Sequence, residues 1–268
     1  LGTRSMLRHT IARAERLIPP QRLLTVVTRH HLSYAREELR DRPPSTVVVQ
    51  PSNRDTGPGI LLPLLHVYQQ DPKAMVALLP SDHFIFEEDR FMAVVDAAAA
   101  CAAAYSERSI LLGVEPDRSE TEYGWIEAGQ VIGQYQGREL HQVRRFWEKP
   151  DPQTANGLYS NGCLWNTMVL IGQAGALLKL FALLTPELFL ALYQIRSLLG
   201  HAEETRAVEE VYSGLPPINF SREILTRGSH RLGVLRVKGI YWNDWGNPEQ
   251  VRLDIARFGS WQTNALPL

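Results

Sequence analysis

Short apolar runs alternate with amphipathic stretches along the first 114 residues. The apolar runs are rich in β-branched and aliphatic residues, which is typical of strands; they are Arg22–Thr28, Thr46–Gln50, Met75–Pro80 and Ser109–Val114. Helices are predicted before and between them, over 3–17, Ile60–Gln70 and 88–107, and a short polar helix is predicted over Leu32–Leu39. Strands that alternate with helices predict right-handed βαβ units and a parallel sheet.

After Glu115 the regular alternation of strands and helices ends. Alternating residues predict hairpin strands, followed by one further strand and a late one, at Tyr123–Gly129, Gln130–Gln136, Glu139–Trp147, Gly162–Ile171 and Leu232–Val237. Helices are predicted over Gln173–Leu199, with an interruption near Pro186, and over Glu203–Tyr212 and Pro248–Phe258. Because no Pro-, Gly- or Ser-rich linker divides the chain, we expect residues 1–268 to form a single domain with a sheet extension in its second half.

The stretch Met75–Leu79 is an unbroken apolar run, which predicts a central strand buried on both faces. It is followed at once by Pro80-Ser81-Asp82-His83, so a carboxylate lies just past the carboxyl end of that strand. Open α/β sheets bind ligands in the crevice beyond their strand ends. The alternative is that Asp82 only caps the helix predicted over 88–107.

A second carboxylate, Asp244, follows the late strand and lies between Trp242 and Gly246. Two carboxylates brought together at one edge of the sheet suit Mg²⁺, which takes hard oxygen ligands and is often shared with substrate phosphates. The sequence leaves open whether the two acids meet. Asp244 alternatively belongs to a turn before the helix over Pro248–Phe258.

Four more residues are candidates for ligand contacts. Lys149 closes a strand beside a proline and offers a point charge for a phosphate, and Glu148 offers an acceptor for sugar hydroxyls; a solvated turn is the alternative. Gly124 lets the backbone approach a ligand closely, or simply begins a strand. Asn166 lies in an apolar segment, where it needs partners, and is therefore either a hydrogen-bond brace or a ligand contact.

Composition narrows the possible partners and compartments. The chain has 28 basic and 29 acidic residues and a net charge of −1, so no global field favours nucleic acid or a membrane surface. No apolar run is long enough to span a bilayer, and no secretory signal opens the chain. Two cysteines, Cys101 and Cys163, make no disulfide framework, so we expect a cytoplasmic setting. No G-x-G-x-x-G follows a strand, which disfavours a nicotinamide dehydrogenase.

Several short motifs occur in an order that resembles the sugar-1-phosphate nucleotidyltransferases. They are Leu79-Pro80-Ser81-Asp82-His83, Glu122-Tyr123-Gly124-Trp125-Ile126-Glu127, Phe146-Trp147-Glu148-Lys149-Pro150, Leu164-Trp165-Asn166 and Trp242-Asn243-Asp244-Trp245-Gly246. The loop Gln50-Pro51-Ser52-Asn53-Arg54-Asp55-Thr56-Gly57-Pro58 is most similar to the mannose-1-phosphate guanylyltransferase branch. Together the motifs cover almost the whole chain.

The resemblance implies an α/β fold: a Rossmann-like three-layer sandwich with a mixed, mostly parallel central sheet and a small sugar-binding β extension. It implies transfer of a nucleotidyl group from a nucleoside triphosphate, GTP in this branch, to mannose 1-phosphate, giving GDP-mannose and pyrophosphate with Mg²⁺ as cofactor. Whether the protein forms a homodimer is left open by the resemblance. The implied roles are catalysis by Asp82, Lys149 and Asp244; metal binding by Asp82 and Asp244; nucleotide binding by Gln50, Asn53, Arg54 and Thr56; and sugar binding by Tyr123, Gly124, Glu148 and Asn166.

The chain departs from the family pattern at three places. The family opens with a first strand and a glycine-rich triphosphate loop, which we expect on a segment upstream of residue 1. Asn166 is followed by Thr167-Met168 where a small residue and glycine are usual, which predicts a reshaped sugar pocket. Asn219-Phe220-Ser221 stands where a carboxylate is common.

Two other functions compete with the leading one. The first keeps the chemistry but changes the base or the sugar. The second is a non-catalytic homologue that binds a nucleotide sugar and regulates a partner. The presence of Asp82, Lys149 and Asp244 argues against the second, because a binding protein has less need of a metal pair.

Overall fold

A computed structural model describes residues 4–258 of the chain. Its α-helices are α1 (Met6–Ala14), α2 (Leu32–Glu38), α3 (Thr56–Gln70), α4 (Glu88–Ala104), α5 (Pro152–Ser160), α6 (Ala174–Leu184), α7 (Pro186–Tyr193), α8 (Glu204–Gly214) and α9 (Pro248–Phe258). Its strands are β1 (Thr25–Thr28), β2 (Val47–Gln50), β3 (Met75–Leu78), β4 (Phe84–Ile85), β5 (Ser109–Val114), β6 (Gly124–Tyr135), β7 (Arg138–Glu148), β8 (Leu164–Gln173), β9 (Leu232–Val237) and β10 (Trp242–Asn243).

Helices cover both faces of the main sheet, and strand β5 shows why. Successive side chains of a strand point to opposite faces. Leu111 therefore joins the core formed with α3 and α6, whereas Ile110 and Leu112 join the core formed with Phe91 and its neighbours on α4. All six residues of β5 are buried. The result is helix, sheet and helix in three layers, so the α/β sandwich predicted from the sequence is confirmed.

The main sheet has six strands in the order β3-β8-β5-β9-β7-β6, and β6 also pairs with β8. Its pairings are antiparallel except β5 with β9, and β1 pairs with β2 in parallel in a separate two-stranded sheet. The sheet is mixed, as expected, but the expectation that it is mostly parallel is wrong for the described strands. Only two residues separate β6 from β7, and so short a connection allows only an antiparallel pair.

The expectation for Met75–Leu79 also needs correction. β3 lies at one end of the six-strand order and pairs antiparallel with β8, through Met75↔Gln173 to Leu78↔Leu170. Its residues are half-buried or exposed, not buried on both faces. An apolar run indicates that a strand packs against neighbouring elements. It does not indicate whether the strand lies in the middle or at the edge of the sheet.

Helix α3 begins four residues earlier than its apolar spacing indicates. Asp55 is the N-cap and accepts a hydrogen bond from the Thr56 N–H at 2.6 Å. Pro58 is tolerated because the first-turn N–H groups of a helix have no intrahelical partner. Gly57 is required by packing, since a Cβ there would lie 2.7 Å from the carbonyl oxygen of Ile218. The Gly-Pro-Gly sequence is therefore the first turn of a helix and not a loop.

The three short hairpin strands predicted over residues 123–147 are two long ones. β6 and β7 pair from Gly124↔Glu148 to Tyr135↔Arg138, with register shifts in the middle. These irregularities broke the alternation on which the prediction rested.

Among the helices of residues 4–258, none combines the length and apolar character needed to cross a bilayer.

Candidate active site

A short antiparallel ladder brings together the two segments that carry Asp82 and Asp244. β4 begins two residues after Asp82, and β10 immediately precedes Asp244. The two strands pair through Trp242↔Ile85 and Asn243↔Phe84. The acids, 162 positions apart in the chain, are thus neighbours at one end of this ladder. The structure thus brings the two acidic segments together, which the sequence left open.

The two carboxylates act on each other electrostatically. Although 76% of the Asp82 side chain is exposed, nearby protein atoms partly desolvate its carboxyl, and the negative charge of Asp244 adds to this effect, so the pKa of Asp82 is raised. Solvent screens both effects at such an open position. A cation placed between the acids would relieve the repulsion.

His83, next to Asp82 in the chain, contacts Trp242 in the segment that carries Asp244. Its Nδ1 accepts a hydrogen bond of 3.2 Å from Trp242 Nε1, and the two rings meet edge to face at 5.1 Å. Since an indole N–H only donates, Nδ1 is the unprotonated nitrogen and Nε2, 3.9 Å from Asp82 Oδ1, carries the hydrogen. Burial, reinforced by the charge of Arg13, lowers the pKa of His83 to about 3. The imidazole is neutral and adds no charge to the site.

Tyr123 connects the segment of Asp244 to the start of β6. It is buried, and its hydroxyl donates to Asn243 Oδ1 at 3.1 Å. Its ring meets those of Trp165 and Trp242 edge to face at 5.1 and 5.3 Å. Burial, and secondarily the charge of Asp244, raises the pKa of the Tyr123 phenol. Tyr123 therefore positions the carboxylate segment and marks where the next group of residues begins.

Gly124, Glu148 and Asn166 meet at one place on the sheet. Gly124 pairs with Glu148 across β6 and β7. A Cβ on Gly124 would lie 2.8 Å from Phe146 Cζ, 3.2 Å from Glu148 Oε2 and 3.3 Å from Asn166 Cβ. Burial raises the pKa of the Glu148 carboxyl, opposed by the positive charges of Lys149 and Arg222. Three of the four residues predicted to bind the sugar are therefore brought together, and the fourth, Tyr123, directly precedes Gly124.

Asn166 serves as a local brace as well. It is 4% exposed, and its Oδ1 accepts from the N–H of Met168 at 3.1 Å. The register of β5 against β8 jumps between Leu111↔Leu170 and Gly113↔Asn166, so the extra residues of β8 form a bulge, in which Met168 takes a φ of 55°. The Asn-Thr-Met sequence that departs from the family pattern builds this bulge.

Lys149 forms an ion pair with Glu122, an acid to which the sequence assigns no role. Its backbone has a φ of 47°, and its Nζ lies 3.2 Å from Glu122 Oε2 in an exposed ion pair. Such a pair contributes about 0–1 kcal/mol. The ammonium group is therefore held weakly and is free to exchange Glu122 for a phosphate.

The four residues predicted to bind the nucleotide all make contacts within the protein. Gln50 Oε1 accepts from the Tyr212 hydroxyl at 3.1 Å, and Arg54 Nε donates to the Tyr212 carbonyl at 3.1 Å. Asn53 Oδ1 accepts from the Asp55 N–H at 2.9 Å, and Thr56 Oγ1 accepts from the N–H of residue 220 at 2.8 Å. These contacts hold the 51–56 loop in place.

Three polar residues to which the sequence assigns no role also lie around Glu148. Arg222 and a hydrogen bond from Ser221 lower the pKa of Glu148, whereas the charge of Asp55 raises it. Asp55 itself accepts from Asn219 Nδ2 at 3.2 Å, and its backbone takes the strained angles φ 65° and ψ −171°. No local signal could have found these contacts, because they join residues far apart in the chain.

An open cavity of about 400 Å³ adjoins Glu148. Arg145, Trp147, Thr154 and Arg222 are among the residues that line it. Of the Gly124–Glu148–Asn166 group, Glu148 alone lines this cavity, so the cavity lies to one side of the group.

The family model described as Nucleotidyl transferase matches residues 1–253.

The chain belongs to the nucleotidyl transferase family.

Individual relatives of this nucleotidyl transferase carry related descriptions. The chain is 28% identical over 251 residues to the xanthan biosynthesis protein XanB of Xanthomonas campestris. It is 28% identical over 255 residues to mannose-1-phosphate guanylyltransferase RfbM of Salmonella typhimurium. Each match covers 92% of this chain and 51% of the relative, so the chain spans about half the length of the curated relatives it matches.

Solved structures agree with the fold of this nucleotidyl transferase. A crystal structure from Thermus thermophilus, described as mannose-1-phosphate geranyltransferase, matches with a TM-score of 0.77 and 26% identity, over 91% of this chain and 67% of that one. A UDP-glucose pyrophosphorylase complexed with UDP-glucose matches with a TM-score of 0.56 and 14% identity, over 96% of this chain and 88% of the other, which supports the fold alone.

Proposed function

We propose that this nucleotidyl transferase transfers a guanylyl group from GTP to mannose 1-phosphate, forming GDP-mannose and pyrophosphate. The observation that carries the proposal is the convergence of Asp82 and Asp244 at the β4–β10 ladder, with Tyr123 leading from them to Gly124, Glu148 and Asn166. The choice of GTP and mannose 1-phosphate rests on the descriptions of relatives such as the Salmonella guanylyltransferase.

Mg²⁺ is the cofactor we assign to the acidic pair. Within residues 4–258 no group of three or more His, Cys, Asp or Glu side chains could enclose a metal ion. Two hard oxygen donors with one mostly exposed member fit Mg²⁺, which keeps several positions for water and substrate phosphates. Asp82 and Asp244 would hold the ion, which when bound neutralises charge on the reacting phosphates.

In the proposed reaction an oxygen of the sugar phosphate attacks the α-phosphorus of GTP. The bond between that phosphorus and the oxygen bridging to the β-phosphate breaks, and pyrophosphate leaves with the electron pair. The protein forms no covalent bond in this scheme; it positions the reactants and supplies charge.

Each part of the site has a place in this scheme. Lys149 exchanges Glu122 for the sugar phosphate, while Glu148 accepts hydrogen bonds from sugar hydroxyls and Asn166 and the Gly124 backbone border the sugar. Because Gln50, Asn53, Arg54 and Thr56 make their contacts within the protein, we assign them to shaping the nucleotide side through the loop they hold.

A substrate panel with matched variants tests the proposal. GTP, UTP, dTTP and CTP are each combined with several sugar 1-phosphates, and pyrophosphate release and nucleotide-sugar formation are measured with Mg²⁺ present. We expect GTP with mannose 1-phosphate to be preferred. Asp82→Asn and Asp244→Asn should each lose at least about 100-fold in kcat/KM, equivalent to about 2.7 kcal/mol, while Asp96→Asn, at an exposed position of α4, should not.

Other outcomes of this panel have distinct meanings. Preference for another base or sugar would replace the assigned substrates and leave the chemistry standing. Binding of GDP-mannose without turnover, unaffected by either substitution, would favour a nucleotide-sugar-binding regulatory protein. Full activity in Asp82→Asn would contradict the role of the acidic pair.

A further inference from the structure

A buried carboxylate, Asp254, lies on α9 behind the segment that carries Asp244. Asp254 is 2% exposed. Its Oδ2 accepts from Trp245 Nε1 at 2.7 Å and from Asn243 Nδ2 at 3.1 Å. Its Oδ1 accepts from the Tyr241 hydroxyl at 2.5 Å and from Gln250 Nε2 at 3.1 Å. One carboxylate thus holds three side chains from residues 241–245.

These bonds offset the cost of burying the group. Aspartate is rarely buried without partners, because a carboxylate taken out of water loses its solvation. Hydrogen bonds to an ionised acceptor are roughly twice as strong as those between neutral groups. Four donors directed at two oxygens therefore define the geometry of the segment tightly.

The residues on either side of Asp244 are those that Asp254 holds. Because Asn243 Nδ2 donates to Asp254, Asn243 Oδ1 faces the other way, where it accepts from the Trp245 N–H at 3.2 Å and from the Tyr123 hydroxyl at 3.1 Å. Trp245 adopts a φ of 50°, which costs about 1–3 kcal/mol in a non-glycine residue and persists only when its surroundings enforce it.

Trp245 also connects this segment to the segment that carries Asp82. Its ring stacks on Phe84 of β4, with the centroids 4.7 Å apart and the planes 5° from parallel. Phe84 lies two residues after Asp82. The bond from Trp245 to Asp254 therefore sets where this ring lies against β4, and with it the relative positions of the two acids.

We propose that Asp254 is a positioning residue that fixes Asp244, and its distance from Asp82, through Trp245 and Asn243. The inference rests on the proposed function insofar as the two acids bind a divalent cation. Asp254 itself is buried and does not touch the ion or the substrates in this proposal.

Because the two oxygens of Asp254 accept hydrogen bonds from different donors, two substitutions of this residue should have different effects. In Asp254→Asn one oxygen becomes an NH₂ group. The Tyr241 hydroxyl can rotate to accept from it and the Gln250 amide can turn over, so the remaining oxygen can still face Trp245 and Asn243. Asp254→Leu leaves no acceptor and strands those donors. The amide should therefore rescue what the aliphatic side chain loses.

The test measures Tb³⁺ binding by luminescence lifetime after direct excitation of the ion, so that no tryptophan is needed as a sensitiser. Wild type should bind, and Asp244→Asn should bind much more weakly. Asp254→Leu should weaken binding about 10- to 100-fold, the usual range for residues that orient metal ligands, whereas Asp254→Asn should stay within about threefold of wild type. The half-saturating Mg²⁺ concentration in the transferase assay should follow the same order.

Tyr241→Phe is the matched control, because it removes a donor to the same carboxylate but to the oxygen that Trp245 does not use. The main chain of Tyr241 is held independently, its N–H donating to Glu87 Oε2 at 2.7 Å and its carbonyl accepting from the Phe86 N–H at 3.1 Å. Tyr241→Phe should lower the melting temperature and leave Tb³⁺ binding unchanged. Trp245→Phe should weaken Tb³⁺ binding, and it carries the test if Asp254→Leu does not fold.

Three results would overturn the inference: Tb³⁺ binding of folded Asp254→Leu equal to wild type, equal loss in Asp254→Asn and Asp254→Leu, or equal effects of Trp245→Phe and Tyr241→Phe. Failure of wild type to bind Tb³⁺ at all would instead contradict the metal role assigned to the acids under the proposed function, and the positioning role would fall with it.

Discussion

Replacing Gly124 by alanine tests whether the sugar side of the site is built as described. The backbone of Gly124 is not among the positive-φ positions of residues 4–258, so alanine meets no conformational barrier there. The added methyl instead meets side chains from two neighbouring strands: Phe146 Cζ at 2.8 Å, Glu148 Oε2 at 3.2 Å and Asn166 Cβ at 3.3 Å. Real Cβ atoms essentially never approach another heavy atom as closely as the first of these distances.

Two measurable effects follow from that clash. Overpacking a well-filled site costs about 1–3 kcal/mol, and each kcal/mol lowers the melting temperature of a chain of this size by about 2–4 °C. The methyl also pushes Glu148 and Asn166 apart where the sugar is proposed to bind. We expect the KM for the sugar 1-phosphate to rise about 10-fold, equivalent to about 1.4 kcal/mol, with little change in the KM for GTP.

Thermal unfolding and steady-state kinetics are measured on Gly124→Ala beside Gly157→Ala. Gly157 lies on α5, and a Cβ there would meet nothing within 4 Å. Alanine at that helical position should stabilise the protein by about 0.5–1 kcal/mol and leave the kinetics unchanged. A wild-type melting temperature and an unchanged sugar KM in Gly124→Ala would refute the arrangement of Gly124, Glu148 and Asn166.

Two further predictions concern charge. Lys149→Gln should raise the KM for the sugar 1-phosphate about 10-fold, equivalent to about 1.4 kcal/mol. Glu122→Gln removes only the exposed partner of Lys149 and should leave this KM unchanged. Equal kinetics for both variants would contradict the phosphate role of Lys149. Burial lowers the pKa of His9 to about 4 and of His83 to about 3. Below about pH 6.5 the unfolded chain therefore binds protons that the folded chain does not. The free energy of unfolding should fall as the pH drops through this range, by up to about 1.4 kcal/mol per pH unit for each histidine. Urea unfolding at about pH 7.5 and pH 5 measures the fall, which should be smaller in His9→Gln than in a variant of the exposed His201; a fall no smaller in His9→Gln would count against this account.

Local order along the chain was predictable because it depends on neighbours within a few residues. Helix α9 matched its predicted range, and β5 and β9 matched theirs, since side-chain spacing reports directly on which face is buried. The start of α3 was missed because the contact that requires Gly57 comes from Ile218, far along the chain. The sheet was expected to be mostly parallel because the spacing of residues 22–114 shows alternating strands and helices but not which strands pair.

The sequence alone determined which chemistry this protein can carry: it places carboxylates after apolar segments, a lysine after a strand and a glycine at a strand start. The tertiary structure decided which of these residues meet. Asp82 and Asp244 come together only through the pairing of β4 with β10, Glu148 meets Asp55 and Arg222 only through packing, and Asp254 acts on Asp244 only because α9 folds back onto it. A local pattern shows which face of a segment is buried, but which segments pair depends on apolar surface contributed by distant parts of the chain.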